Sequence, residues 1–234
     1  MKVLTIIPAR GGSKGVVGKN KKLIAGKPLI EYSLDLSLEL GENFDFWVST
    51  DDEDIMGLAQ NYENVELHKR KASLSTDESP IVDTIDRLLK LVEQSKECEF
   101  DLILLLQPTS PLRKAEDIRN AIKLLMEDES TQSVVSVCAM EDMHPARMYW
   151  KESGYLKPIL DKFEKTRRQD ISPAYYRNGC IYLVKRNAFK QNKEIMVKPM
   201  KAYPMPSSWL LNIDDPRDVL IAEAIIPEWS KGVL

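Results

Sequence analysis

Short apolar runs of strand length alternate with longer stretches of helical period along most of this 234-residue chain, the pattern of a largely parallel sheet covered by helices. Val3–Pro8 predicts the first strand. Pro28 suits a helix N1 position, and Ile30, Ser33, Leu34, Ser37 and Leu38 follow at helical spacing before Gly41, which suits a left-handed cap. Phe46–Ser49 predicts a second strand, and Asp51, Asp52, Glu53 and Asp54 suit the cap and first turn of a helix to about Tyr62. A short third strand falls at Val65–His68, and Ser79 and Pro80 read as cap and N1 of a helix striped by Ile81, Val82, Ile85, Leu88, Leu89 and Val92. Leu102–Leu106 is uninterrupted, as in a strand buried on both faces. Ile118, Ala121, Ile122 and Leu125 mark another helix, Ser133–Cys138 and Ile181–Val184 two more strands, and Asp215–Pro216 opens a closing helix. From Met140 to about Tyr176 the periodicity fails, and charge runs such as Lys162–Arg168 interrupt it. That segment predicts an extension beyond the sheet of an otherwise single domain, 1–234.

Composition narrows the function classes. With 43% hydrophobic and 29% charged residues the chain is neither disordered nor a coiled coil. At this length it can bury roughly 70% of its unfolded surface without staples. The three cysteines, Cys98, Cys138 and Cys180, lack CxxC spacing and speak against zinc or a secreted disulfide scaffold. No apolar stretch approaches the ~20 residues of a membrane span, and Val3–Ile7 meets Pro8 at once, so the expected location is the cytoplasm, away from membranes.

The net charge is −3, yet residues 1–30 contain seven basic residues and no acid. The remainder then carries 26 basic and 36 acidic residues. Positive potential therefore concentrates on one glycine-rich loop, which suits a small anion. Nucleic acid would need an extended basic face and is not expected.

That loop, Ala9-Arg10-Gly11-Gly12-Ser13-Lys14-Gly15, follows the first strand, where open α/β sheets bind ligands. Its glycines allow backbone N–H groups to approach phosphate, and Arg10, Lys14 and Lys19 supply counter-charge. It is not a Walker A loop, since Ser13 stands at the first glycine position and Asn20 follows Lys19, and it lacks GxGxxG spacing.

Ile7 to Gly15, Lys19-Asn20 and Gly26 to Ile30 together resemble the nucleotide-binding start of the CMP-acylneuraminate (CMP-sialic acid) synthetases. The resemblance continues at Val48 to Asp51, Leu106 to Arg113, Arg168 to Asp170, Asn178 to Tyr182 and Asn212 to Asp214. It covers nearly the whole chain, and the order and spacing of the blocks carry it. It implies a Rossmann-like, three-layer nucleotidyltransferase with a mainly parallel sheet. Such an enzyme joins CTP to a nine-carbon 2-keto acid sugar, N-acetylneuraminate being the sugar expected here, and releases pyrophosphate.

The resemblance also assigns residues. Arg10, Gly11, Gly12, Ser13, Lys14 and Asn20 would hold the triphosphate, with Lys19 near the α-phosphate, and Arg70 and Thr109 the cytidine side. Gln107, Arg168, Arg177 and Tyr182 fall on the sugar side, where a guanidinium suits the carboxylate of a keto acid. Asp214, with Asn212, would hold Mg²⁺, and Arg10, Lys19 and Asp214 form the expected catalytic set. Homodimers are implied, with 140–176 reaching over the partner's site and Arg168 in either active site.

Two departures stand out. Asn212-Ile213-Asp214 replaces the Asp-Ile-Asp of many relatives, and Tyr176-Arg177 replaces an Arg-Pro pair. An uncharged Asn212 makes a second metal ion less expected than the first. No general base is evident, because His68 and His144 lie outside the phosphate loop and read as structural. Asp51 and Asp52 read as helix caps before metal ligands. The alternatives are the same reaction on legionaminate or another nonulosonate, and a non-catalytic nucleotide-binding protein.

Overall fold

The computed structural model describes residues 1–71, 79–140, 143–160, 167 and 170–234. In chain order the strands are β1 (Val3–Pro8), β2 (Leu23–Ile24), β3 (Lys27–Pro28), β4 (Phe44–Thr50), β5 (Val65–Lys69), β6 (Leu102–Leu105), β7 (Ser133–Met140), β8 (Tyr149–Glu152), β9 (Tyr155–Pro158), β10 (Ala174–Lys185) and β11 (Met200–Met205). The helices are α1 (Glu31–Leu34), α2 (Leu36–Leu40), α3 (Glu53–Ala59), α4 (Ile81–Ser95), α5 (Ala115–Met126), α6 (Arg186–Asn192) and α7 (Pro216–Ser230). Seven strands form one sheet in the order β11-β7-β10-β6-β1-β4-β5. All its pairings are parallel except those of β10, which runs antiparallel to both β6 and β7.

The period-2 alternation of an extended strand sends successive side chains to opposite faces, and here both faces are apolar. In β1, Val3 and Ile7 join the cluster packed under α1, α2, α3, α5 and α7, while Leu4 and Ile6 join the cluster under α4 and α6. All four side chains are fully buried. Each contributes roughly 1.5–3 kcal/mol relative to exposure. The result is the expected Rossmann-like arrangement of helices on both sides of a mainly parallel sheet. Among the described residues no helix is long and apolar enough to cross a membrane.

Several boundaries differ from the sequence expectation for identifiable reasons. Pro28 lies in the β2/β3 hairpin instead of at a helix N1 position. The backbone N–H groups of Leu29 and Ile30 donate to the carbonyls of Lys22 and Asn20 at 3.0 and 2.9 Å, so the chain stays tied to the basic loop until α1 begins at Glu31. Pro80, not Ser79, takes the cap position of α4. α3 ends at Ala59, short of Tyr62. The segment 140–176 contains the β8/β9 hairpin and also the start of β10, which the regular pattern placed only from Ile181. α6 and β11 were not anticipated; β11 is an edge strand of largely exposed, alternating residues with no apolar run to announce it.

Asp52 caps α3 as expected, its carboxylate accepting from the N–H groups of Asp54 and Ile55 at 2.9 and 3.2 Å. Asp215 and Asp218 form a reciprocal capping box at the start of α7, with Pro216 in the first turn. Because β1 is flanked by β4 on one side and β6 on the other, a crevice opens beyond the C-terminal ends of β1 and β6.

Candidate active site

That crevice is a cavity of about 490 Å³ whose lining combines three segments distant in sequence. Arg10, Ser13, Lys14, Lys19 and Asn20 come from the loop after β1, Gln107 and Thr109 from the turn after β6, and Asn212 and Asp214 from the approach to α7. Arg70, just past β5, also lines it. Gly11 and Gly12 fall outside the lining.

The basic loop is shaped by acids behind it. The Gly11 N–H donates to Asp51 Oδ1 at 3.0 Å, and Lys21 Nζ donates to Asp52 and Asp54 at 2.9 and 2.6 Å. Burial works against the Asp52 charge, but bonds from Lys21 and from the N–H groups of Ile55 and Asp54 hold its carboxyl below the usual range. Asn20 is buried and donates from Nδ2 to the Arg10 carbonyl at 3.0 Å, fixing the point where the loop leaves the strand. At Gly15 a Cβ would collide with the carbonyl oxygen of Asp214 and stand 3.2 Å from its carbonyl carbon. Only glycine lets these two backbones meet there.

Across the cavity, Lys19 Nζ donates to Asp214 Oδ1 at 2.7 Å. Asn212 Nδ2 donates to the other carboxylate oxygen of Asp214, and Asn212 Oδ1 accepts from Ser110 Oγ at 3.1 Å. The Ile213 N–H donates to the Thr109 carbonyl at 2.8 Å. The turn after β6 is thereby fastened to the approach to α7. Asp214 presents an exposed carboxylate beside a lysine, the kind of ligand Mg²⁺ takes one or two of while completing its shell with phosphate oxygens. Asn212 turns its carbonyl oxygen to Ser110, so in this orientation it braces Asp214 and does not offer that oxygen to the cavity.

A fully buried arginine holds the turn from beneath. Arg113 Nη1 donates to the carbonyls of Gln107 and Ser110 at 3.0 and 2.6 Å, and Nη2 donates to Ser33 Oγ. Burial pushes its pKa down to about 10. On the other side of the turn Gly179, at φ +80°, sits so close that a Cβ would be 2.5 Å from Ser110 Oγ and 3.1 Å from Gln107 Oε1. The register shift in β10 between Arg177 and Tyr182 makes room for this approach.

Arg70 is positioned by a buried cluster. Its Nε donates to Ser49 Oγ at 3.2 Å and its Nη2 to the Ser49 carbonyl at 2.9 Å, while Ser49 Oγ lies 2.9 Å from His68 Nδ1. The direction of the Ser49–His68 bond follows the imidazole tautomer, since the hydroxyl has a second lone pair free to accept. Burial, with the charges of Arg70 and Arg87, lowers the His68 pKa and favours the neutral ring. His144 is equally occupied, its Nδ1 accepting from the Ala146 N–H at 3.0 Å. Neither histidine lines the cavity.

Arg177 and Tyr182 line a neighbouring recess that shares Gln107 with the main cavity. Arg168 lies outside the described residues. Gly15 lines the cavity with the rest of its loop, and Ser79 and Thr84 also line it without having been assigned a role there. Thr84 had a readable signal, a polar residue three positions after Ile81 on the apolar face of α4, and it is buried.

A family model described as cytidylyltransferase matches residues 4–219. The chain is 35% identical over 230 residues to the CMP-N,N'-diacetyllegionaminic acid synthase of Legionella pneumophila, covering 97% of each chain. It is 33% identical over 223 residues to the N-acylneuraminate cytidylyltransferase of Streptococcus agalactiae, covering 94% of this chain but 52% of that one. In fold it resembles a CMP:2-keto-3-deoxy-manno-octonic acid synthetase solved with CTP, at a TM-score of 0.68 and 18% identity over 97% of this chain and 99% of that one. A match across nearly all of the sheet and the cavity, together with near full-length similarity to a sugar-activating relative, identifies this chain as a member of the cytidylyltransferase family of the CMP-sialic acid synthetase type.

Proposed function

We propose that the protein transfers the cytidylyl group of CTP to the anomeric hydroxyl of a nonulosonic acid and releases pyrophosphate. The carrying observation is the cavity itself, in which a basic loop faces Asp214 across a floor made by Gln107 and Thr109. The named relatives act on diacetyllegionaminate and N-acylneuraminates, and the neuraminate expectation is one of these two sugar classes.

In this reading Arg10, Lys14 and Lys19 neutralise the triphosphate, and Arg70 and Thr109 contact the cytidine side. The sugar oxygen forms a bond to the α-phosphorus as the bond to the leaving pyrophosphate breaks, and the hydroxyl proton passes to solvent, since both histidines are committed elsewhere. Positioning and charge neutralisation are what such a transfer asks of the protein. Mg²⁺ held by Asp214, with Asn212 bracing that carboxylate, would supply charge stabilisation on the phosphates. Lys19 must exchange Asp214 for phosphate when the nucleotide binds. Gln107 and Arg177 orient the sugar.

The extension supports a homodimer as part of the proposal. On the β8/β9 hairpin Trp150, Tyr155 and Leu156 are 58%, 80% and 68% exposed, and Tyr175 and Tyr176 add to the apolar surface nearby in sequence. A second copy of the chain is the proposed cover. A cytoplasmic location fits three free cysteines and a CTP-consuming reaction.

The test is pyrophosphate release from purified protein with CTP, Mg²⁺ and a nonulosonic acid, each omitted in turn. Release that requires all three supports the reading, and CTP binding without release under any of these conditions refutes catalysis.

A further inference from the structure

We propose that Asn212 and Lys19 form a latch on Asp214, oriented by Ser110, which keeps the carboxylate closed to divalent cations until a nucleoside triphosphate has drawn Lys19 away. The inference rests on the nucleotide and metal sites of the cytidylyl-transfer reading and adds an order of binding to them. Ser110 and Asn212 are positioning residues in it.

Both oxygens of the Asp214 carboxylate are taken. Lys19 Nζ donates to Oδ1 at 2.7 Å, and Asn212 Nδ2 donates to Oδ2. The Asp214 side chain is 62% exposed, so ions in solution reach it. At the oxygens it needs, such a cation meets an ammonium group and an amide N–H, and both repel it.

The Asn212 amide has one favourable orientation. Its carbonyl oxygen accepts from Ser110 Oγ at 3.1 Å. Turned over, the amide would set that oxygen against Asp214 Oδ2, two acceptors with no proton between them. Ser110 has little room to change partner, because it is fully buried and a Cβ on Gly179 would stand 2.5 Å from its hydroxyl oxygen. The main chain is tied as well: the Ile213 N–H donates to the Thr109 carbonyl at 2.8 Å and the Asp214 N–H to Asp218 Oδ2 at 2.9 Å. An aspartate at position 212 could not donate, and two facing carboxylates would attract a divalent ion. Asparagine does the opposite, giving Asp214 a donor in place of a neighbouring ligand.

Release is electrostatic. Lys19 lines the cavity with Arg10 and Lys14, on the loop that faces the triphosphate in this reading. Several phosphate oxyanions compete there with the single carboxylate of Asp214 for the ammonium group, and the transfer of Lys19 leaves Oδ1 open. Carboxylate and phosphate oxygens then become available together, the donor set that Mg²⁺ accepts. By linkage, whatever factor CTP adds to cation affinity the cation adds to CTP affinity.

The experiment uses Mn²⁺ as the probe on the full chain, read by electron paramagnetic resonance and water-proton relaxation, which separate free Mn²⁺, Mn²⁺–CTP and protein-bound Mn²⁺. Nucleotide-free protein is expected to bind Mn²⁺ at least about 10-fold more weakly than CTP-bound protein, the worth of one hydrogen bond to a charged group. Asn212→Ala and Lys19→Ala each remove a donor without adding a ligand. Each should raise the Mn²⁺ affinity of nucleotide-free protein by about 10-fold, whereas loss of a metal ligand would lower it. Ser110→Ala should raise it by a smaller factor, since Asn212 keeps its own bond to Asp214. Equal Mn²⁺ affinity with and without CTP, or an alanine variant at position 19 or 212 that binds no better than the parent, would overturn the latch. A Ser110→Ala variant indistinguishable from the parent would overturn the part given to Ser110. Pyrophosphate release from the same preparation with CTP, Mg²⁺ and a nonulosonic acid tests the transfer reading separately, and its absence would sink that reading while Mn²⁺ binding still decides the latch.

Discussion

Replacing Arg113 by methionine should destabilise the protein by about 2–5 kcal/mol and weaken CTP binding, although Arg113 does not itself line the cavity. Arg113 is 1% exposed, and burial lowers its pKa from 12.5 to about 10. Burial disfavours the charge, and its bonds to the carbonyls of Gln107 and Ser110 and to the Ser33 hydroxyl offset that. Each bond to a charged donor is worth ~1.5–3 kcal/mol net of the water it replaces. Methionine removes these bonds and leaves three acceptors without this donor, two of them in the turn that carries Gln107 and Thr109. Urea unfolding should show a lower midpoint at unchanged slope, and calorimetric titration with CTP should show weaker binding. A methionine variant within about 0.5 kcal/mol of the parent, the scatter expected of an ordinary surface change, would refute the argument that these bonds dominate.

Lys19→Ala or Asp214→Ala should lower turnover by ~10² to 10³ in folded protein, and steady-state pyrophosphate release at the parent's rate would sink their assignment. Gly15→Ala should cost about 1–3 kcal/mol and reduce turnover, because its Cβ meets the Asp214 backbone; equal thermal stability would show that the two loops part easily. His68 has a folded pKa below its ordinary 6.5, so the unfolded chain binds more protons between the two values. Its contribution is therefore complete above pH 6.5 and declines as the pH falls through the lowered folded value. His68→Gln should flatten that part of the stability profile measured by urea unfolding, and an unchanged acid slope would exclude His68 as its source.

Elements set by local chemistry were readable from the residues alone. β1 and β6 announce themselves as apolar runs, α4 by its stripe, and α3 and α7 by acidic caps whose bonds lie within three residues. Pro28 misled because its own preference for a helix start is overruled by hydrogen bonds to Lys22 and Asn20, partners that no local pattern reveals. β11 escaped because an edge strand exposes alternate residues and contains Pro204, so it lacks the composition of a buried strand.

The candidate site divides along the same line. The concentration of positive charge in residues 1–30, the glycine-rich loop after the first strand and the family resemblance were all determined by the sequence, because they depend on composition and order. Tertiary structure alone decided that Lys19 meets Asp214 and that Asn212 turns its oxygen to Ser110. It also decided that Arg113 lies beneath the turn and that aliphatic side chains from three elements wall the recess beside Gln107. Those facts are distances between residues far apart in the chain. Such distances are set when the two faces of the sheet bury their helices and bring the loops to one edge.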